Sequence, residues 1–323
     1  MPYPTPLPDV LARAPFTVAQ AYRLGVSRDR LRSSLVRAPF RGVRVPSQLP
    51  DDLDTAARAL ALLLPDLVLE GVTACAWHGL PLLAGIDPRA PLMVATSTRA
   101  RVAGVRARVC APPPGAGRTR TAYRVLSRPS AWASAANDPR LGGAELLILA
   151  DALCSAPDVG VPIEHVRAAV DGHTRPPRLE LANRVLALAS PRVDSPQESR
   201  LRWYLFCAQF PPPLVNADQY RADGSFLARP DLCWPEVKVA VEYDGAVHLE
   251  SRQWRKDLVR REAMEADGWR IIVVIAADLY NPEQVCRRVA RALLARGLRW
   301  PGCQRWSNEA LTIGSIGGRQ TAG

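Results

Sequence analysis

The sequence predicts a mixed α/β protein, α+β overall, that is built from more than one domain. The chain has 323 residues, of which 48% are apolar, and this is enough for two or three domains with buried cores. Segments with the helical spacing of apolar residues occur beside short segments that alternate apolar and polar residues, as strands do. We divide the chain into residues 1–50, 51–190 and 195–297, followed by a tail at 298–323.

The composition predicts a cytoplasmic protein that does not enter the membrane. No stretch reaches about 18 uncharged apolar residues, and the N-terminus lacks the basic and apolar regions of a secretory signal. The seven cysteines have no C-x-x-C spacing, which is typical of reduced thiols and gives no support to a zinc cluster.

The net charge of +11 is unevenly distributed along the chain. Residues 1–50 contain eight arginines and two acidic residues, whereas residues 195–297 contain fifteen basic and fourteen acidic residues. A basic excess of this kind is typical of a nucleic-acid-binding surface. We therefore expect the first segment to bind double-stranded DNA.

The pattern of residues 1–50 predicts a helix, a turn, a second helix and a short hairpin. Thr17-Val18-Ala19-Gln20 has the spacing of a capping box, and Gly25 is expected to end that helix. The second helix is predicted from Arg28 to about Arg37, and the strand 41–45 follows it. The candidate DNA-binding residues are Arg28, Arg30, Arg32, Ser33, Arg37, Arg41 and Arg44. The alternative is a small helical hairpin with a solvated arginine face.

The order of these pieces resembles the N-terminal winged helix of AbiEi-type antitoxins from type IV toxin–antitoxin systems. The likeness rests on Thr17-Val18-Ala19-Gln20-Ala21, Leu24-Gly25-Val26-Ser27, Leu31 and Arg41-Gly42-Val43. The resemblance implies a module that binds DNA through its second helix and represses its own operon. A cognate toxin would then be a further partner.

The middle segment, residues 51–190, is predicted to be mixed α/β. Helices are expected at 54–64, 72–79, 143–155 and 163–170, and strands at 91–96 and 105–110. The piece Trp77-His78-Gly79-Leu80-Pro81 resembles one found in multidomain relatives of the AbiEi type. We expect His78 and His173 to be structural.

A hairpin in the third segment brings acidic residues together. Strand residues 237–243 alternate, so Glu242 and Asp244 project from one face of the sheet. If the chain reverses near 235–237, Asp231 lies opposite Glu242, with Cβ atoms ~5 Å apart. Two acids at i and i+2 without a neighbouring base repel each other unless a cation lies between them. Oxygen ligands of this kind suit Mg²⁺ or Mn²⁺, which predicts a metal site.

Residues 195–297 also resemble the PD-(D/E)xK nuclease superfamily, in its branch related to the very-short-patch-repair (Vsr) endonucleases. The likeness runs through Ser195-Pro196-Gln197-Glu198-Ser199-Arg200-Leu201, Arg229-Pro230-Asp231, Val241-Glu242-Tyr243-Asp244-Gly245-Ala246-Val247-His248, Asp257-Leu258-Val259-Arg260 and Gly268-Trp269-Arg270-Ile271-Ile272. It implies a restriction-endonuclease-like α/β sandwich. One departure is that Asp244 stands where the superfamily has its E-x-K lysine.

The resemblance implies a set of site residues, and most have a simpler explanation beside it. The implied catalytic residues are Asp231, Glu242, His248 and Glu198, the implied metal ligands are Asp231, Glu242 and Asp244, and Asp257 and Arg260 would contact the metal ligands or a phosphate. Glu198 fits a capping box with Ser195 equally well, and Asp244 fits a turn before Gly245. The loop histidine and the two helix residues could simply be solvated.

The sequence therefore predicts a Mg²⁺- or Mn²⁺-dependent DNA endonuclease or nickase, targeted by a winged helix. The alternative is a non-catalytic DNA-binding transcriptional regulator or antitoxin of a type IV-like toxin–antitoxin system. The missing E-x-K lysine favours the regulator, whereas the retained acids and histidine favour the enzyme. An RNA-directed nuclease is less favoured, because winged helices typically bind duplex DNA.

Overall fold

The computed structural model describes residues 6–82, 86–99, 101–110, 116–118, 123–155, 160–173, 176–245 and 251–307. It is a mixed α/β protein with several small sheets and about twelve helices in these ranges, which confirms the class. None of the helices in the described ranges is both long and apolar enough to cross a membrane. The chain forms two compact units, one of residues 1–142 with 161–187 and one of residues 143–160 with 188–323.

The elements have the following bounds. The α-helices are α1 Asp9–Ala12, α2 Val18–Arg23, α3 Leu53–Ala61, α4 Gly71–Trp77, α5 Arg128–Ala135, α6 Gly143–Ser155, α7 Ile163–His173, α8 Pro176–Leu188, α9 Pro196–Cys207, α10 Ser251–Ala266, α11 Pro282–Ala295 and α12 Gln304–Ser307. The strands are β1 Phe16–Thr17, β2 Val36–Arg37, β3 Val43–Pro46, β4 Val68–Leu69, β5 Leu92–Thr96, β6 Val105–Val109, β7 Ala116–Arg118, β8 Arg124–Leu126, β9 Leu214–Val215, β10 Gln219–Tyr220, β11 Phe226–Ala228, β12 Leu232–Trp234, β13 Val239–Asp244 and β14 Arg270–Ile275.

The N-terminal part of the first unit is a three-stranded sheet, in the order β1-β3-β2, beside the short helix α2. The predicted capping box is confirmed, because the Gln20 N–H donates to Thr17 Oγ1 at 3.1 Å and the Thr17 N–H donates to Gln20 Oε1 at 2.7 Å. Gly25 follows the helix with φ +75°, as a helix C-terminus requires. The predicted strand at 41–45 is confirmed as β3.

The predicted second helix over residues 28–37 is wrong. Only one 3-10 turn forms, at Arg30–Arg32, and Val36–Arg37 belong to β2, paired with β3. The Ser33 hydroxyl donates to the Arg30 carbonyl at 2.8 Å and accepts from the Leu35 N–H at 3.4 Å. Because this side chain binds nearby backbone groups, the helix stops there. Arg30, Ser33 and Arg37 therefore do not share a helical face.

The first unit also contains a five-stranded mixed sheet in the order β6-β5-β4-β8-β7. Strands β5 and β6 pair in parallel, and both lie where the sequence predicted them. Helices α4 and α5 pack against each other, and α5 packs against α7. The sheet interior is apolar, since every residue of β4 and β5 is buried.

The second unit is built on a four-stranded sheet in the order β14-β13-β12-β9. Strand β13 is antiparallel to β12 and parallel to β14. One face of the sheet packs against α9 and α11 through residues such as Leu201 and Val289, and the other packs against Met264 of α10. Helix α6, which lies within the predicted middle segment 51–190, belongs to this unit and packs against α9.

Two contacts hold α6 closely against α9. A Cβ atom added to Gly143 would lie 1.9 Å from the Trp203 ring, so the close approach requires glycine. Buried Asp151 of α6 accepts hydrogen bonds from the Ser199 hydroxyl and from Arg202, each at 2.7 Å. Burial raises the pKa of Asp151, and the positive charge of Arg202 opposes that rise.

Candidate carboxylate–arginine site

The predicted hairpin forms with the predicted register. Strands β12 and β13 are joined by a 3-10 turn at Pro235–Val237, after which Lys238 has a left-handed backbone with φ 49°. Leu232 pairs with Val241, and one further step along both strands places Asp231 opposite Glu242. The Tyr243 N–H donates to Asp231 Oδ2 at 2.7 Å, which fixes the aspartate at the end of the hairpin.

The alternation of β13 is also confirmed. Val239 and Val241 lie in the core formed with α9 and α11, whereas Ala240 lies in the core formed with α10. Glu242 follows on the same side as Ala240, and its side chain is only 3% exposed. A carboxylate in such a position needs partners that compensate its charge.

Asp231 carries the largest electrostatic perturbation of the site. Burial raises its pKa to about 7, from an ordinary value of 3.8. The hydrogen bond from Tyr243 opposes this rise, whereas the negative charges of Glu198 and Glu242 add to it, and the charge of Arg260 lowers it. The negative charges of Glu198 on α9 and Glu242 on β13 therefore both act on Asp231 at this end of the sheet.

Glu198 is held by the start of α9 and by the loop after β9. Its N–H donates to the Ser195 hydroxyl at 3.3 Å, as half of a capping box. The other half is absent in the described residues, because Glu198 Oε2 accepts from the Asp194 N–H at 3.2 Å and from Asn216 Nδ2 at 2.7 Å. Ser195 thus caps the helix as expected, but the expected bond from the Glu198 carboxylate to the Ser195 amide is replaced by bonds to the Asp194 N–H and Asn216.

Asn216 was not identified from the sequence. It has φ +43° and its N–H donates to the Asp231 carbonyl at 3.0 Å, so it links the aspartate to Glu198. Asparagine tolerates the left-handed region better than most residues, because its short side chain bonds locally. An asparagine just after a strand is the only sequence signal for this role, and it is a weak one.

Two arginines of α10 bind the acids of β13. Arg260 contacts both oxygens of Glu242. Arg261 donates from Nε to Glu242 Oε2 at 3.1 Å and from Nη2 to Asp244 Oδ2 at 2.9 Å. Burial lowers the pKa of Arg261, but its hydrogen bonds to Asp244 and Glu242 outweigh that effect and raise it.

The expectation that Glu242 and Asp244 lack a neighbouring base is therefore wrong. The two cations come from the next helix, 17 to 19 residues further along the chain, where strand alternation gives no information. The resemblance implied Arg260 as a contact of the metal ligands or a phosphate, and the structure places it against Glu242. Arg261 was missed. Its only signal was its position directly after Arg260.

Whether a divalent ion fits this site depends on which carboxylate oxygens accept no hydrogen bond. Among the described residues, Asp231 Oδ1 and Glu198 Oε1 accept no hydrogen bond, whereas both oxygens of Glu242 are bound to arginine. No group of three or more His, Cys, Asp or Glu in these ranges is arranged to hold an ion alone. Mg²⁺ commonly uses one or two carboxylates and several waters, so Asp231 and Glu198 fit it.

Two implied site residues cannot be placed. His248 lies outside the described residues, and so does the side chain of Asp257, whose backbone belongs to α10. Their roles in proton transfer and phosphate contact stay predictions.

The candidate DNA-binding residues divide into two groups. Arg28, Arg32 and Arg41 are exposed. The other four are partly buried, namely Arg30, Ser33, Arg37 and Arg44. Two of these bind backbone carbonyls of the protein itself. Arg37 donates to the Leu49 and Pro50 carbonyls at 2.7 and 3.0 Å, and Arg44 donates to the Leu31 carbonyl at 2.9 Å.

Arg37 is the arginine that binds the 49–50 carbonyls, and it also forms an ion pair with Asp51 at 2.8 Å. Arg44 is the one that binds the Leu31 carbonyl. Arg30 differs from both, because its buried Nε and Nη2 atoms have no hydrogen-bond partner among the described residues. Arg37 and Arg44 therefore have structural roles.

Comparison with known proteins identifies distant, partial relatives. The chain is 27% identical over 114 residues to the uncharacterized protein Rv2248 of Mycobacterium tuberculosis strain H37Rv and to the uncharacterized protein MT2308 of strain CDC 1551. The match covers 35% of this chain and 42% of each relative, so the chain spans less than half the length of the proteins it matches. No protein-family model and no solved structure matches the chain.

Proposed function

We propose that the chain is a metal-dependent DNA endonuclease or nickase whose reaction site is the carboxylate group of Glu198, Asp231 and Glu242. The observation that carries this proposal is buried Asp231, whose pKa is raised to about 7 by burial and by the negative charges of Glu198 and Glu242. Acids held this close gain stability when a divalent ion binds between them. The four-stranded sheet between helices agrees with the restriction-endonuclease-like sandwich that the resemblance implies.

The carboxylate oxygens that accept no hydrogen bond indicate which residues would bind the metal. Asp231 and Glu198 would hold Mg²⁺ or Mn²⁺, which when bound polarises a phosphoryl oxygen and acidifies a water molecule. Glu242 and Asp244, first expected as ligands, would instead hold Arg260 and Arg261 beside the metal ligands. Both guanidinium groups are partly exposed and so can contact a phosphate. His248 is proposed to relay a proton on the resemblance alone.

The N-terminal segment is proposed to bring duplex DNA to the enzyme. The capped helix α2 and the three-stranded sheet agree with the AbiEi-type winged helix, although the expected second helix is a single 3-10 turn. Arg28, Arg32 and Arg41 are the proposed phosphate contacts, because they are exposed. Such contacts make binding depend strongly on salt.

The ion pairs of β13 favour a second candidate, a non-catalytic DNA-binding regulator or antitoxin. Arg260 and Arg261 already compensate Glu242 and Asp244, so part of the cluster is stable without a metal. Asp244 also stands where the nuclease superfamily has its catalytic lysine. In this case the protein would bind DNA without cutting it, and a cognate toxin would be its partner.

Plasmid cleavage separates the two candidates. Supercoiled plasmid is incubated with Mg²⁺ or Mn²⁺ and the wild type, Asp231→Asn, Glu198→Gln or the control Glu265→Gln, which changes an exposed acid of α10. The enzyme proposal expects metal-dependent nicking by the wild type and the control, and its loss in the two site variants. Nicking that is absent, or equal in all four proteins, would overturn it. DNA binding that persists without nicking would support the regulator.

A further inference from the structure

The most basic part of the chain lies in the first unit, outside the N-terminal segment. Between Asp87 and Asp138 there are nine arginines and no lysine, aspartate or glutamate. This run of 50 residues has a larger positive charge than residues 1–50. The carboxylate site, in contrast, is formed by residues of the second unit.

The fold places part of this charge along one edge of the five-stranded sheet. Strand β6 is the edge strand, and it pairs in parallel with β5. The connection between them returns along the length of β5, because the Leu92 N–H donates to the Gly104 carbonyl and the Cys110 N–H donates to the Thr96 carbonyl. Five strand residues span ~16 Å. We call the described residues of this connection and strand, 97–99 and 101–109, the β6 edge.

Three arginines of the β6 edge have exposed side chains. Arg99 and Arg101 lie in the connection and Arg106 lies on β6. None of them forms an ion pair or hydrogen bond with the described residues.

Asp66, Glu70 and Asp138 are acids that the fold places beside this part of the sheet. Asp66 accepts hydrogen bonds from the Thr96 hydroxyl at 2.6 Å and the Ser97 N–H at 2.5 Å. Arg108 of β6 forms a bidentate pair with buried Glu70, with Nε–Oε2 at 3.0 Å. Asp138 is fully buried and binds Arg140 at 2.6 Å. Glu70 and Asp138 are thus each held by an arginine, whereas Asp66 is held by hydroxyl and backbone groups, and the charge of Arg106 also acts on Asp138 and lowers its pKa. Arg99, Arg101 and Arg106 form no ion pair with these acids.

We propose that the β6 edge binds the phosphodiester backbone of duplex DNA. Three exposed guanidinium groups that form no ion pair with the described residues can contact phosphates of the backbone. The edge lacks the aromatic anchors that are typical of protein–protein interfaces, since residues 97–109 contain no Phe, Tyr or Trp. Binding of the polyanionic DNA backbone to this edge would rest on the positive charge of its arginines. The proposal does not depend on whether the second unit cleaves DNA.

Edge strands also use charged residues to prevent pairing with other chains, and the test must separate the two roles. Binding of a short fluorescent DNA duplex to the full chain is measured by anisotropy at several salt concentrations, in EDTA so that cleavage cannot interfere. The variant Arg99→Gln/Arg101→Gln/Arg106→Gln is compared with Arg192→Gln/Arg270→Gln/Arg291→Gln. The control changes three other exposed arginines, and therefore the same net charge.

We expect the slope of log affinity against log salt to fall by ~0.9 for each lost phosphate contact, so by about 2 to 3 in the edge variant. The control should lose much less. Equal affinity and slope in the two variants would overturn the proposal, and aggregation of the edge variant with unchanged DNA binding would assign the arginines to edge protection. An acidic protein partner would also leave DNA binding unchanged.

A second measurement uses the wild-type chain, so it does not depend on how the variants fold. Phenylglyoxal modifies accessible arginines, and mass spectrometry reports which ones DNA protects. Protection of Arg99, Arg101 and Arg106 supports the proposal, whereas modification at the same rate with and without DNA contradicts it. Arg192 serves as the unprotected reference.

Discussion

Replacing Asp231 by asparagine should change how the stability of the second unit depends on pH. Burial raises the pKa of Asp231 from 3.8 to about 7, with the charges of Glu198 and Glu242 adding to the effect. The folded state therefore keeps a proton that the unfolded state has lost between pH ~4 and ~7. Its stability is highest below pH ~4 and falls as the pH rises through this window.

The size of the loss follows from the width of that window. Each pH unit removes ~1.4 kcal/mol when the folded state binds one more proton than the unfolded state. Between pH 4 and 8 the wild type should thus lose about 3 to 4 kcal/mol of unfolding free energy through Asp231. Asparagine has the same shape and can accept the Tyr243 hydrogen bond, but it does not titrate. Relative to the wild type, the variant should gain that amount across the same range.

Urea-induced unfolding is measured at a series of pH values, and hydrogen exchange of peptides from β12 and β13 reports how much of the second unit is unfolded. Asp218→Asn, which changes an exposed acid before β10, provides the control and should leave the pH dependence unchanged. Parallel curves for the wild type and Asp231→Asn would refute the reasoning. At pH 8, Mg²⁺ should stabilise the wild type by RT ln(1 + [Mg²⁺]/Kd) and leave the variant unaffected. Equal stabilisation of both would remove Asp231 as a ligand.

Four further substitutions test other contacts. Glu242→Gln should cost ~2 kcal/mol, because it removes the carboxylate that binds Arg260 and leaves Arg261 paired with Asp244 alone, whereas the control Glu265→Gln should cost less than ~0.5 kcal/mol; equal losses in urea unfolding would contradict this. Arg37→Ala should cost ~1–2 kcal/mol and leave the salt slope of DNA binding unchanged, while Arg32→Gln should lower that slope by ~0.9 without loss of stability. The reverse pattern would show that these roles are exchanged. Gly143→Ala should cost ~1–3 kcal/mol in thermal unfolding, since its methyl group would meet an indole ring, and unchanged stability would refute the close packing.

The hairpin was predictable because its information is local. Strand alternation and a turn at Pro235–Val237 fix the register within a few residues, and this alone places Asp231 opposite Glu242. The capping box of α2 was predictable for the same reason, since its two partners are three residues apart. Local patterns of this kind leave few alternative geometries.

The partners of the acids were not predictable in the same way. Arg261 reaches Glu242 and Asp244 only because α10 packs beside β13, and neither strand alternation nor helix spacing contains that packing. The prediction of a second N-terminal helix was wrong for a different reason. Its apolar spacing was helical, but Ser33 bonds to the backbone and Val36 pairs with β3 instead. Tertiary pairing here outweighed a short local pattern.

The assignment of α6 to the second unit bears on the order of events during synthesis. Asp151 and Arg202 are 51 residues apart, and a ribosome adds ~5–20 residues per second, so Asp151 precedes its partner by about 3 to 10 s. During this interval the apolar helix α6 lacks the residues of α9 against which it packs. The residues made in between include α7 and most of α8, which complete the first unit. A chain arrested before Arg202 should therefore have a finished first unit and an exposed α6, the segment where chaperones would bind.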